Sequence, residues 1–289
     1  GALARAARVD GGGAQRAPAG CLEALRRGTL LDTTALLMLQ KWNTPTVFNG
    51  WEQITRNPNY GQECFNLEPV IDHMPQMGPL VGYAITVRIR PGDRLAVERG
   101  AAGRQLFREH VAGLPGGVPK IIVAQDGDKP AIFGSMWGEV NATFFRALGV
   151  VGTIVDGGVR DLDEMAAAGF HALSRGLCVG HAFGGVPLEW DVPVSVFGVD
   201  VRPGQLIHAD KHGFLVVPEE DEERLVEVVR RDRCRDGQSR GRLRGGQERE
   251  VRHLRRTLRC GRAVLSPGSL GRALISCWAA DIRGSSVNQ

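Results

Sequence analysis

The chain has 289 residues, 43% of them hydrophobic, which is enough for a substantial core in one large domain or two small ones. No apolar run approaches the ~20 residues of a membrane helix, and the N-terminus lacks the basic-then-apolar layout of a secretory signal, so a soluble cytoplasmic protein is expected. The formal net charge of +4 is unevenly spread: from Arg230 onward there are 15 arginines, no lysine and five acids, which leaves the first 229 residues at −6. The basic character therefore belongs to the tail, and it does not make the body a nucleic-acid binder.

In chain order, 1–27 is Gly/Ala/Arg-rich without apolar periodicity and reads as a flexible N-terminal arm. Leu30, Leu31, Leu36, Leu37 and Leu39, with Asp32 to Thr34 as N-cap candidates, predict a helix from about Thr33 to Lys41, broken by Pro45. Thr46 to Gly50 starts a second short helix, and Asn57 to Asn66 is a polar loop. Gly82 to Arg90 alternates apolar and polar residues and predicts a strand; Leu95 to Val111 suits a crossover helix, and Lys120 to Ala124 a short buried strand. Trp137 and Gly138 open a helix from Glu139 to about Leu148, with Phe144, Phe145 and Leu148 turned inward. A strand over Gly152 to Val155 then runs into a glycine turn, Asp156 to Asp161. Leu162 to Ala168 is a short helix ended by Gly169, and Phe170 to Leu173 a strand.

Gly176 to Trp190 reads as a glycine-rich loop. Pro193 to Phe197, Leu206 to Ala209 and Phe214 to Val217 read as strands, and Glu219 to Arg230 as a helix behind Pro218. Many short strands alternating with helices imply one mixed α/β domain over 28–230. Beyond it, 231–289 is an atypical Arg-rich tail with little apolar periodicity, a composition of the kind that out-of-frame reading of GC-rich DNA produces. The six cysteines are scattered with no C-x-x-C pair, as expected for free thiols in a reducing compartment.

Two local features carry chemistry. Arg160 and Asp161 set a cation beside an anion after a glycine pair; a guanidinium grips a carboxylate bidentately, and a carboxylate can hold a divalent cation. The competing reading is a surface arginine and an N-cap aspartate for the following helix. Gly138, Glu139, Val140 and Asn141 form a helix start, where unsatisfied amides bind anions; the competing reading is an ordinary capped helix. His181 and His208 are candidate ligands, although a lone histidine in a loop is more often polar surface. Asp126 at a strand end either faces the site or caps a turn, and the turn is favoured.

The order WGE…GVVGTIVDGGVRD followed by VPVSVFGVDVRPGQLIHADKHGFLVVP resembles the regulator-of-ribonuclease-activity-A-like family, which includes 4-hydroxy-4-methyl-2-oxoglutarate aldolases with oxaloacetate decarboxylase activity. The likeness runs from about Gly78 to Pro218, with a weaker extension back to Gly28. It implies a layered mixed α/β sandwich with a swivelling β/β/α-type core, in homotrimers or hexamers with sites between subunits. It also implies a divalent-metal aldolase without a lysine Schiff base. By position, Arg160 would bind the pyruvyl group of a small 2-oxo acid, Asp161 would hold Mg2+ or Mn2+, and the amides of Gly138 to Asn141 would cradle the carboxylate. Glu139 is the candidate to orient a water for proton transfer, against the reading of a solvated first-turn acid.

Lys211-His212 stands where relatives are often acidic, and the tail replaces a region that can lend a carboxylate to a neighbouring subunit. Two other functions compete. One is a non-catalytic protein-binding regulator of a ribonuclease. The other is a nucleic-acid arm in the Arg-rich tail, whose binding would weaken steeply with salt. No glycine-rich cofactor-binding strand–turn–helix supports a methyltransferase.

Overall fold

The computed structural model describes residues 30–59, 63–94, 97–184 and 187–231, all within one compact unit, Gly1–Arg233, with the side chains of 97–101 left out of that description. The expected N-terminal arm, and the Arg-rich tail beyond Arg231, lie outside the described residues.

Two short helices come first. α1 (Thr33–Leu39) is capped by Asp32, whose side chain accepts from Ala35 N at 2.7 Å. α2 (Thr44–Glu52) is capped by Asn43, and Pro45 sits in its first turn. Pro45 therefore starts α2 rather than breaking α1, because a proline at that position forfeits only an N–H that the helix leaves unpaired.

Among the described residues, the rest builds an eight-stranded mixed sheet and a separate two-stranded hairpin. β1 (Ile71–Asp72) and β2 (Leu80–Ile89) precede the crossover helix α3 (Val97–Ala112) and β3 (Lys120–Asp126). Then come α4 (Glu139–Ala147), β4 (Val150–Val159), α5 (Leu162–Ala167) and β5 (His171–Leu177). β6 (Glu189–Trp190), the hairpin β7 (Val194–Val196) and β8 (Val199–Val201), β9 (Leu206–Asp210) and β10 (Gly213–Val217) follow, and a last helix, α6, covers 219–231. The strand order is β1-β5-β4-β3-β2-β9-β10, with β6 also on β2. β2, β3, β4 and β5 run parallel, and the outer strands pair antiparallel.

Strand alternation divides the core into layers. Ile85, Val87, Ile122, Ala124 and Val155 pack one face of the sheet against Phe107, Val111, Ala142, Phe145 and Met165 of α3, α4 and α5. Ala84, Ile121, Val123 and Ile154 pack the other face against Val194, Val196, Val199 and Val201 of the β7–β8 hairpin. The result is the expected β/β/α sandwich. A second helical group, α1, α2 and α6, covers Val81, Tyr83, Leu206 and Leu215. Phe144, expected to point inward, is 40% exposed while Phe145 is buried. Adjacent helical residues point about 100° apart, so only one of the two can face the sheet.

β4 also corrects the expected glycine turn. Asp156, Gly157, Gly158 and Val159 continue the strand, with Gly158 and Val159 in register with Gly176 and Leu177. The glycines serve close packing: a Cβ on Gly157 would come within 2.3 Å of Asp126 Oδ2, and one on Gly158 within 2.4 Å of Ile132 Cγ2. The region expected as one loop, Gly176 to Trp190, contains the end of β5 and all of β6, and Val199–Val201, to which no strand was assigned, is β8, joined to β7 by Phe197-Gly198.

Candidate active site at the carboxyl ends of the central strands

Arg160 and Asp161 lie where β4 ends, beside the start of α4. Ser135 holds the two elements together. Its Oγ donates towards Trp137 O at 2.6 Å and lies 2.8 Å from Gly158 O, and it accepts from Trp137 N at 2.8 Å. Trp137 forms an isolated parallel bridge with Val159, and Arg160 N donates to Trp137 O at 3.2 Å. The Trp137 ring is fully buried against Phe170 and Phe145. This packed indole therefore fixes where Gly138 and Arg160 sit relative to each other.

Asp161 adopts a left-handed backbone (φ 55°, ψ 49°) and stands at the N-cap position of α5 without capping it. Its Oδ2 instead accepts from Glu139 N, the first amide of α4, at 3.1 Å, and lies 3.3 Å from Arg160 Nε. The N-cap reading of Asp161 is thus right about position and wrong about the helix it serves. Gly138 makes this contact possible. Its own backbone is extended, but a Cβ there would stand 2.4 Å from Asp161 Oδ2 and 3.2 Å from Arg160 Nε. Arg160 Nη1 donates to Val179 O at 3.2 Å, so the loop after β5 steadies the guanidinium.

Of the α4 amides expected as an anion cradle, Glu139 N is already taken by Asp161. Those of Val140 and Asn141 meet no acceptor among the described residues, as the first turn of a helix leaves them. The Glu139 and Val140 side chains are exposed. The Asn141 side chain turns away, donating to Met136 O at 2.6 Å and accepting from Arg108 Nη2 at 3.0 Å. Arg160, Asp161 and the α4 amides are therefore brought together, while Asn141 contributes its backbone only.

Among the described residues no group of three His, Cys, Asp or Glu side chains is placed to hold a metal ion. Asp161 Oδ2 is engaged, its Oδ1 has no partner among the described residues, and the side chain is one-third exposed. One outward carboxylate oxygen suits a hard divalent cation that keeps most of its waters, as Mg2+ does. His181 is exposed, and His208 is no ligand: fully buried, it bonds Thr44 Oγ1 at 3.0 Å and Leu39 O at 3.1 Å. Burial pushes its pKa down to about 4, which keeps the ring neutral.

Of the residues near the site, Ser135 and the ion cluster of Asp156 were not legible in the sequence, whereas Asp126 was already a candidate. Ser135 had no signal beyond its place in a Gly-Ser-Met-Trp-Gly run. Asp126 does cap its turn, its Oδ1 accepting from Asp128 N at 2.9 Å. Its Oδ2, however, is buried against Gly157 with no partner among the described residues, and burial raises its pKa to about 6. Asp156 is buried in an ion cluster, accepting from Lys129 Nζ at 2.6 Å and from Arg175, which also bonds Glu68. Lys120 is also buried, at the opposite end of β3 from Asp126, roughly 20 Å along the strand.

Arg160, Asp161 and the start of α4 thus lie together at the carboxyl ends of the parallel strands of a β/β/α sandwich. The chain belongs to the RraA-like family, Aldolase/RraA, whose model matches residues 44–216. It is 29% identical over 171 residues to a Halalkalibacterium halodurans protein provisionally named a 4-hydroxy-4-methyl-2-oxoglutarate aldolase, covering 59% of this chain and 75% of that protein. It is 35% identical over 71 residues to the 4-hydroxy-4-methyl-2-oxoglutarate aldolase of Thermus thermophilus, covering 25% of this chain and 43% of that one. Among solved structures it resembles Streptomyces coelicolor RraAS2, described as an unusual member of the RNase ES inhibitor RraA protein family (TM-score 0.53, 22% identity, 73% of this chain and 97% of that one). That likeness concerns the fold alone.

Proposed function

We propose that this protein is a divalent-metal-dependent aldolase that cleaves 4-hydroxy-4-methyl-2-oxoglutarate-type substrates to pyruvate and also decarboxylates oxaloacetate. The observation that carries the reading is Asp161 Oδ2 lying 3.1 Å from Glu139 N, the first amide of α4, and 3.3 Å from Arg160 Nε. The Val140 and Asn141 amides take the carboxylate of the 2-oxo acid, in the field of the helix dipole. The Arg160 guanidinium lies beside the 2-oxo group and stabilises negative charge as it develops there, which serves aldol cleavage and decarboxylation alike because both leave the enolate of pyruvate. Asp161 would hold Mg2+ or Mn2+ through its outward oxygen; when bound, the ion supplies Lewis-acid stabilisation of the same charge. Glu139, exposed at the mouth, orients a water for proton transfer.

Pyruvate release from oxaloacetate and from 4-hydroxy-4-methyl-2-oxoglutarate, with Mg2+ and with EDTA, tests the reading. Loss of about a hundredfold or more is expected in EDTA, in Arg160→Ala and in Asp161→Ala. Full activity in EDTA or in Asp161→Ala would sink it.

The assembly we propose is a homotrimer or a pair of trimers. Val179, 95% exposed, with exposed Leu177, Phe133 and Val140, supplies apolar surface around the site for a neighbouring subunit. Sedimentation equilibrium at a trimer or hexamer mass is the expected result. The same exposed surface favours a second reading, a non-catalytic regulator that binds a ribonuclease. Inhibition of a ribonuclease by a well-folded protein that releases no pyruvate under any metal condition would establish it instead.

A further inference from the structure

The segment after β5 is a strap tied down at four points. Cys178 N donates to Val159 O at 3.0 Å, Ser135 N to Gly180 O at 3.0 Å, Ala182 N to Ser135 O at 2.9 Å and Phe183 N to Pro91 O at 2.9 Å. It therefore runs from the end of β4 to the turn behind β2, carrying the Val179 carbonyl that holds the Arg160 guanidinium. Two polar groups along it are unspent. His181 Nδ1 lies 2.8 Å from Ala182 O. A carbonyl only accepts, so Nδ1 carries the proton and the neutral ring keeps its lone pair at Nε2, which meets no partner among the described residues. Arg94 follows the turn behind β2; its guanidinium lies 4.6 Å from the centroid of the Phe183 ring and meets no carboxylate among the described residues. The His181 ring lies 6.0 Å from the same Phe183 ring. Phe183 thus gathers an acceptor and a cation, and both side chains are exposed, so nothing need move to admit a ligand. β2, β3 and β4 run parallel, so the chain leaves β2 for Arg94 and β4 for Arg160 at the same end of the sheet, about 10 Å apart.

We propose that this edge reads the far end of the substrate, an inference that rests on the aldolase reading of the Arg160 site. Arg94 takes a second carboxylate, and His181 Nε2 accepts from a hydroxyl on the carbon beside it. The substrate class is then a dicarboxylate with a 2-oxo acid at one end and a 2-hydroxy acid at the other. A five-carbon chain of this kind spans about 5 Å between its carboxyl carbons, and a hydrogen bond at each end adds roughly 3 Å, which matches the separation of the two arginine-bearing strand ends. Oxaloacetate has no such hydroxyl, so His181 distinguishes the two reactions while Arg160 and Asp161 serve both.

Steady-state kinetics of the full chain, with pyruvate as a product inhibitor, test it. KM for 4-hydroxy-4-methyl-2-oxoglutarate is expected to rise about tenfold or more in Arg94→Gln and about fivefold in His181→Leu, the change falling on KM rather than kcat. His181→Gln, whose side-chain oxygen also accepts, should recover most of the loss. KM for oxaloacetate should stay within about twofold in His181→Leu, and the pyruvate inhibition constant should not move in any of the three variants. An unchanged KM for 4-hydroxy-4-methyl-2-oxoglutarate in Arg94→Gln overturns the inference. So does an equal rise for oxaloacetate in His181→Leu, or a pyruvate constant that moves with KM, since either means general damage to the site. In those cases the wild type still releases pyruvate and the aldolase reading survives. A wild type that releases none with any divalent metal overturns that reading and this inference with it.

Discussion

Asp161 divides its backbone and side chain between two neighbours. The backbone opens α5 in a left-handed conformation that costs a non-glycine residue on the order of 1 kcal/mol. The side chain leaves α5 uncapped and sits instead on the first amide of α4. Gly138 is the space that permits it. Gly138→Ala is therefore expected to push the carboxylate off Glu139 N and away from Arg160. Pyruvate release should drop about tenfold or more, with thermal unfolding shifted by only a few degrees, because the added methyl displaces a side chain that is one-third exposed. Retained activity in that variant would detach the Gly138–Asp161 contact from function. Arg160 and Asp161 stand out in the sequence only through the succession of motifs that runs on to Pro218, because the dipeptide among glycines reads equally as a surface arginine and an N-cap aspartate. The purpose of Gly138 does not stand out at all, because the atom it accommodates is 23 positions away. His208 failed for a related reason: its residue type suggests polar surface, and only its burial between Thr44 and Leu39 reveals a tie between β9 and the first helices.

Among the elements, β4 was the least legible. Asp156-Gly157-Gly158 carries every local mark of a turn, yet it stays in the sheet because Asp126 and Ile132 crowd the two glycines from neighbouring segments. Only long-range packing distinguishes a glycine that bends a chain from one that admits a neighbour. By contrast, β2, α3 and α6 followed from alternation and helical periodicity. The join between β4 and α4 rests heavily on Ser135, whose hydroxyl meets Trp137 O, Gly158 O and Trp137 N while nearly buried. Ser135→Ala is expected to strand these backbone groups and lower stability by about 1–3 kcal/mol in denaturant titration. Activity should fall further than stability, since Gly138 and Arg160 would lose their common anchor. α6 is fastened in another way: Trp51 Nε1 donates to Asp221 Oδ2 and Tyr83 Oη to Glu222 Oε2, each at 2.8 Å, both in the core.

For the molecule as a whole, buried titratable groups set how stability responds to pH. Burial raises Glu222 from an ordinary value near 4.5 to about 7, although the Tyr83 hydrogen bond opposes the shift. Its folded pKa exceeds its unfolded one, so its contribution is full below about pH 4.5 and is lost as pH rises to about 7. Asp126 acts in the same direction between about 3.8 and 6. His208 acts oppositely: depressed to about 4 from 6.5, it contributes fully above pH 6.5 and loses that contribution as pH falls towards 4. The Glu222 share is on the order of 2–3 kcal/mol between pH 4.5 and 7. Glu222→Gln is therefore expected to shift the melting temperature at pH 8, relative to pH 5, upward by several degrees compared with wild type. Thermal melts at both pH values check this, and an unchanged difference would mean that Glu222 is ionised in the folded protein.

The position of β2 bears on how the chain acquires its fold during synthesis. β2 is made early, but its antiparallel partner β9 comes more than a hundred residues later, pairing Leu80 with Ala209, and Tyr83 waits 139 residues for Glu222. At about 5–20 residues per second, that delay is roughly 7–30 s on the ribosome. Until β6 and then β9 are made, a long, buried-type strand has β3 to pair with on one side and only water or another nascent chain on the other. Slowing translation between codons 90 and 205 should therefore increase aggregation of newly made protein, while leaving the stability of the finished molecule unchanged.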